Sequence, residues 1–298
     1  MEVHLVDGTY ELFRQFFGQR HRLRASSAAS EVAAVAGVLA SLLTMLEQGA
    51  THVGVATDHK IESFRNELWP GYKTGAGVDP GLLAQFPRLE EALVAFGLAS
   101  FPMDDLEADD ALCSLAEIAK QDQQVDRVLI WTPDKDLGQC VEADRVVQVD
   151  RRNKAVLDEA AVREKFGVPP GSIPDWLALV GDSADGFPGL SGWGKRSAAV
   201  VIDHYGHLEA IPASAEEWDR SVRAKLRSAP ALAARLTEDR EVAFLFRDLA
   251  TLRVERDLIS GVAELAWKGP TAQAAGLAAS LGDGRLADRA RRLAAQSA

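Results

Sequence analysis

The chain has 298 residues, 47% of them hydrophobic and 26% charged, and a formal net charge of −11. These proportions exclude a disordered chain and supply apolar material for one large domain or two unequal ones. The acid surplus argues against gripping phosphate with a broadly basic surface, but not against gripping it through carboxylate-held divalent cations, which present phosphate with a positive centre.

The first residues carry an acid and no basic leader, and no apolar run approaches membrane-spanning length, so a cytoplasmic chain with no membrane partner is expected. Cys113 and Cys140 make no C-x-x-C pair and read as packing residues. Three short apolar runs, at residues 3–6, 52–57 and 128–132, read as buried strands of a parallel sheet. Asp7, Asp58 and Asp134 follow them, and ligands of open α/β sheets gather beyond the carboxyl ends of the strands.

Between the first two runs, residues 31–47 place Val32, Val35, Val38, Leu39, Leu42, Leu43 and Leu46 at helical spacing, as a β-α-β crossover requires. A second amphipathic helix is expected from Asp109, and residues 74–80, rich in Gly, read as a loop. Beyond residue 163 the strand signal fades into helical patterns that run to the end. An α/β part to about residue 165 and a helical part after it follow from this. Arg20, Arg22 and Arg24 form a basic stretch suited to a duplex backbone or simply to solvent.

The acids cluster. Glu107-Ala108-Asp109-Asp110 crowds three carboxylates at a helix start, Asp134-Lys135-Asp136 adds a D-x-D pair, and Gly181-Asp182-Ser183-Ala184-Asp185 adds D-x-x-D in a turn. Crowded like charges raise pKa and destabilise unless a cation offsets them. Any one cluster is equally well read as a helix cap or solvated turn. Together, at expected strand ends, they suit oxygen-only ligation of Mg²⁺ or Mn²⁺, two of which, about 4 Å apart, can activate water and stabilise a leaving oxygen.

In their order these segments resemble the 5′-nuclease (flap endonuclease) family, and within it the 5′-to-3′ exonuclease domain of bacterial DNA polymerase I. The resemblance covers residues 3–255. It runs through L-V-D-G-T-Y from Leu5, T-D at Thr57, F-R-N-E-L from Phe64, Y-K at Tyr72, E-A-D-D from Glu107, D-K-D from Asp134, F-G-V-P-P from Phe166 and G-D-S-A-D-G-F-P-G-L-S-G-W-G-K-R-S-A from Gly181. It implies an α/β, parallel-sheet PIN-like core over residues 1–165, with an arch over about 65–105. A helical part follows over 166–298, carrying a helix-three-turn-helix DNA clamp.

The implied chemistry is hydrolysis of DNA phosphodiesters near a 5′ end or flap, RNA primers or RNA/DNA hybrids included, by a free-standing monomer of the cytoplasm with two or three Mg²⁺ or Mn²⁺ ions. By the same resemblance Asp7, Asp58, Glu107, Asp109 and Asp110 surround one metal position, and Asp134, Asp136, Asp182 and Asp185 serve a second. Lys73 matches the lysine beside the scissile phosphate, Arg65 is assigned with it as a catalytic cation, and Arg14 and Tyr72 as DNA contacts. Gly189, Gly192, Gly194, Lys195 and Arg196 match the clamp's phosphate-binding hairpin, where the family holds a monovalent cation, K⁺.

Two positions depart from the family pattern. Ala76 stands where an arginine is usual after the Tyr-Lys motif, leaving Arg65 or Arg88 to take its part, and Gly186 stands where asparagine is usual. Three other readings fit less of the sequence. A haloacid-dehalogenase-type phosphatase needs an aspartate where Leu5 stands. A catalytically weak DNA-binding protein leaves the full carboxylate set without a role, and a PIN-type ribonuclease leaves the Gly-rich clamp without one. Arg196 at the Ser/Thr position breaks a near match to a nucleotide-binding P-loop.

Overall fold

The structure is a computed structural model that describes residues 1–20 and 32–297; Arg22, Arg24 and the side chain of Arg20 lie outside the described residues. Contacts divide the chain into two compact units. The first holds residues 1–61, 75–132 and 253–298, and the second holds 62–74 and 133–252. The chain passes between these units several times.

In the first unit, β1 (Glu2–Asp7), β2 (His52–Asp58), β3 (Ala99–Met103) and β4 (Arg127–Trp131) run in the order β3-β2-β1-β4. Every pairing among them is parallel. β1 is buried from Val3 to Asp7 and β2 from Val53 to Thr57, the continuous apolar run of strands covered on both faces. β3 escaped sequence reading because it is short and carries Pro102, a residue that an edge strand tolerates.

The crossover α1 (Gly8–Arg20) and α2 (Ala33–Glu47) lies between β1 and β2 in sequence, and α2 buries Val35, Val38, Leu39, Leu42, Leu43 and Leu46 as its spacing predicts. The region expected as an arch holds an ordered helix, α3 (Phe86–Ala95), followed by β3. α4 (Ala108–Ala119) then starts where the E-A-D-D motif predicts, with Glu107 as its N-cap. Two closing helices, Ala274–Ser280 and Arg285–Ser297, add Ala274, Ala278, Leu286 and Ala290 to the same core. Among the described residues no helix is long and apolar enough to cross a membrane.

The contiguous part of the second unit includes an antiparallel pair, β5 (Val146–Asp150) and β6 (Ala155–Leu157), in which Gln148 faces Leu157. Helices α5 (Glu159–Phe166), α6 (Ile173–Val180), α7 (Lys195–Tyr205), α8 (Ala229–Glu238) and α9 (Arg240–Ala250) follow. They enclose a core that includes Trp176, Phe187, Trp218 and Phe246. The Trp69 ring meets Phe246 edge-on at 5.2 Å, so the short excursion 62–74 belongs to this core. Arg247 braces α9, donating to both Glu209 oxygens at 2.6 Å and to Asp175 at 3.2 Å.

Candidate metal centre

In the first unit the parallel strands deliver Asp7 and Asp58 to the carboxyl-terminal ends of β1 and β2. Each is tied to its surroundings. Asp7 accepts from the Tyr10 N–H at 2.8 Å and from the Thr132 hydroxyl at 2.9 Å. Asp58 accepts from the Ala108 N–H at 2.8 Å, which links β2 to the start of α4. Asp110, fully buried, accepts from the Glu107 N–H at 2.9 Å through one oxygen and from the Arg253 N–H at 2.8 Å through the other. Any cation contact by Asp110 is made in addition to those bonds. Glu107 is buried and Asp109 half-buried. Among the described residues, no three acids of this set bring ligand atoms within 4.8 Å of one another.

The second unit does assemble such a group. Asp136, Asp182 and Asp185 each offer an oxygen, and these oxygens all lie within 4.8 Å of one another. Two local structures bring them together. Asp136 opens a 3₁₀ turn, Asp136–Cys140, started by its own N–H donating to Asp134 at 3.0 Å. Asp182 and Asp185 flank a tight turn in which the Gly186 and Phe187 N–H groups return to the Asp182 carbonyl at 2.9 and 3.0 Å.

That turn is clamped to residues 69–73. The Lys73 N–H donates to the Asp185 carbonyl at 2.9 Å, and the Trp69 indole N–H donates to the Gly186 carbonyl at 3.1 Å. Gly186 sits at φ +83°, and a Cβ there would stand 2.1 Å from the Gly71 carbonyl oxygen. The departure from asparagine at this position thus permits close backbone approach of the segment bearing Lys73. The Lys73 ammonium lies 3.1 Å from Asp185. Lys135, from inside the D-K-D motif, pairs with the buried Asp182.

The electrostatics match a cation site. Burial pushes the Asp136 carboxyl well above the usual carboxylate range; Asp134, Asp185 and Asp182 push it further and Lys135 opposes them. Burial works to lower the Lys135 pKa, but its hydrogen bond to Asp182 and the charges of Asp136, Asp182 and Asp134 leave it raised. Asp136 Oδ1 is buried and has no hydrogen-bond partner. An orphaned carboxylate oxygen among like charges fits a divalent cation, and an all-oxygen donor set suits a hard one. Lys135 lies inside the D-K-D motif, between two of the acids. Nothing in its sequence context separates it from a solvated lysine.

Other expected contacts divide. Arg65 is 1% exposed, donates to the Leu249 carbonyl at 2.8 Å and the Thr251 carbonyl at 3.2 Å, and lies over the Phe64 ring. This corrects the catalytic assignment: the guanidinium holds main chain, and it does not stand in for the arginine missing at Ala76. Arg88 is exposed on α3. Tyr72 is packed in the core at 3% exposure, so it positions Lys73 and leaves little surface for DNA. Arg14 is paired with the buried Glu11.

In the hairpin, Gly189 (φ +69°) packs on the backbone of Leu179 to Gly181, a structural role in place of the expected DNA contact. Gly192 and Gly194 have open space around a built Cβ, and the exposed Lys195 and Arg196 begin α7. Ser197 accepts from the Gly194 N–H at 3.0 Å.

Residues 2–167 match the family described as 5′-3′ exonuclease, N-terminal resolvase-like domain, and residues 168–273 match 5′-3′ exonuclease, C-terminal SAM fold. A 5′-3′ exonuclease of Aquifex aeolicus is 32% identical over 220 residues, 73% of this chain and 74% of that protein. DNA polymerase I of Pseudomonas aeruginosa is 36% identical over 260 residues, 85% of this chain, and the match spans only 27% of that polymerase's length. Among solved structures, the 5′-exonuclease of T5 with bound zinc superposes with a TM-score of 0.63 at 18% identity, over 98% of both chains. The catalytic core of Rad2 in complex with DNA substrate gives 0.65 at 16%, over 97% of this chain and 91% of that one. At such identities these two show likeness of fold.

Proposed function

The chain belongs to the 5′-3′ exonuclease family, and we propose that it hydrolyses DNA phosphodiesters near a free 5′ end or at a 5′ flap, using Mg²⁺ or Mn²⁺, as a monomer in the cytoplasm. The observation that carries this reading is the triad Asp136, Asp182 and Asp185, with its orphaned buried oxygen and two flanking ammonium groups. These three acids, with Asp134 beside them, would hold one cation. Asp7, Asp58, Glu107, Asp109 and Asp110 are the candidates for another. Bound there, a divalent cation supplies Lewis-acid polarisation of a phosphoryl oxygen and a hydroxide-like nucleophile at neutral pH.

The chain's own residues do the rest. Lys73, held by the Asp185 turn, places an ammonium where charge develops on a phosphate. Gly192 and Gly194 leave room for a phosphate to approach the backbone and Lys195 and Arg196 add charge, with K⁺ a further ligand of this hairpin. Two buried free cysteines suit the reducing cytoplasm. Acceptance of RNA primers is part of the same proposal.

The test is cleavage of an end-labelled 5′-flapped DNA duplex and its RNA-flap counterpart, with Mg²⁺, Mn²⁺ or chelator. Cuts near the junction that need metal support the reading. Binding without cutting under every metal would overturn it in favour of a catalytically weak binding protein.

A further inference from the structure

The second unit contains a groove of about 990 Å³ whose two walls come from different parts of the sequence. One is the hairpin and α7 start, with Lys195, Arg196 and Ser197; the other is the segment joining helix Arg220–Lys225 to α8, with Lys225, Arg227 and Ser228. The backbone explains the second wall. Leu226 is extended (φ −129°, ψ 97°) and only 7% exposed, so its side chain is anchored inward. In extended chain the residues on either side project together, and Lys225 and Arg227 are both exposed.

Charge sets this groove apart from the rest of the chain. Against a surplus of 11 acids, four cations converge here and no acid lines the walls. Several arginines elsewhere are neutralised, as Arg163 is by Asp203, Arg247 by Glu209 and Arg289 by Glu47. Among the described residues Lys195, Arg196, Lys225 and Arg227 have no acidic partner within ion-pair distance. Keeping four like charges together unpaired is unfavourable unless a polyanion supplies the counter-charge.

We propose that Lys225 and Arg227 form the second wall of a backbone-binding groove for duplex DNA, gripping phosphates of the double-stranded stem independently of the flap. This rests on the DNA-directed reading above and adds residues outside the Gly-rich hairpin. The contacts are to phosphate, so they fix position without reading sequence.

The experiment compares wild type with Lys225→Gln/Arg227→Gln in chelator, measuring anisotropy of labelled duplex and of single strand from 50 to 200 mM salt. A matched charge control is Arg152→Gln/Lys154→Gln, at an exposed turn. Losing two phosphate contacts lowers the slope of log affinity against log salt by about 1.8. The ratio of wild-type to variant duplex affinity then narrows about twelvefold across that salt range. Single-strand binding stays at its wild-type value. An unchanged duplex slope, or an equal fall in the control, would overturn the groove while wild-type metal-dependent cleavage left the nuclease reading standing. Failure of wild type to bind duplex at all would overturn both.

Discussion

The two units differ in how one buried acid of each is held. At the carboxyl ends of β1 and β2 and the start of α4, Asp7, Asp58 and Asp110 accept hydrogen bonds from backbone N–H groups or a threonine hydroxyl. In the second unit, Asp136 keeps a buried oxygen without a donor beside Asp182 and Asp185, with ammonium groups as the local counter-charge. A buried carboxylate with donors anchors the fold, whereas one without donors among like charges destabilises it until a cation arrives.

The largest expected effect of this contrast is on rate. Asp182→Ala removes a triad member, and cleavage of a flapped duplex should fall on the order of 10²–10³-fold or more, the loss seen for one preorganised electrostatic contact. Lys73→Ala should act in the same direction on kcat. A full-rate Asp182→Ala enzyme would remove the triad from the chemistry.

Next comes stability at the buried cation that is not catalytic. Arg65→Ala leaves the Leu249 and Thr251 carbonyls without their donor, at about 1–3 kcal/mol each. Denaturant unfolding should show the loss. A stable Arg65→Ala protein with defective cleavage would return Arg65 to the phosphate.

A sharper form of the comparison uses isosteres. Asp110→Asn should lower stability by about 1.5–3 kcal/mol, the worth of hydrogen bonds to a charged group, whereas Asp136→Asn should raise the metal-free melting temperature at pH 7. The sign follows from linkage. A carboxyl whose folded pKa lies above its unfolded value contributes stability at low pH and loses it as pH rises. Saturating Mn²⁺ at about 100 times its Kd should add about 2.7 kcal/mol to wild type, and the Asp136→Asn protein should gain less. Equal melting responses in the two isosteres would erase the distinction between anchor and ligand.

The smallest effect lies away from both acid sets. The hydrogen bond from Arg247 holds Glu209 down to about 2, against the opposing effect of burial. A depressed carboxyl contributes stability above its ordinary pKa of 4.5 and loses it as pH falls through about 2. Glu209 is 57% exposed, so the contribution is small. Melting curves of Glu209→Gln should therefore converge with wild type at the acid end. A constant gap down to that pH would deny the pair any part in acid stability.

Much of this was legible in the sequence because strand periodicity and acid placement are local signals. β1, β2 and β4 stand out as apolar runs, and the acids of E-A-D-D, D-K-D and D-x-x-D are adjacent in the chain. What stayed hidden was tertiary. Pro102 masked the edge strand β3, and the return of residues 253–298 to the first unit leaves no local mark. Arg65 and Lys73 are both basic residues near an expected site. Only burial and partners separate a main-chain brace from an ammonium beside a carboxylate. Lys225 and Arg227 read as ordinary surface cations until the chain folds them opposite Lys195 and Arg196.

The central claim, that the second unit's triad is a divalent-cation site, is tested most directly by calorimetric titration of Mn²⁺ into DNA-free wild type and into the Asp136→Asn/Asp182→Asn protein. Loss of one saturable site in the variant, with the fold intact by circular dichroism, is the result expected. An unaltered isotherm would contradict the account.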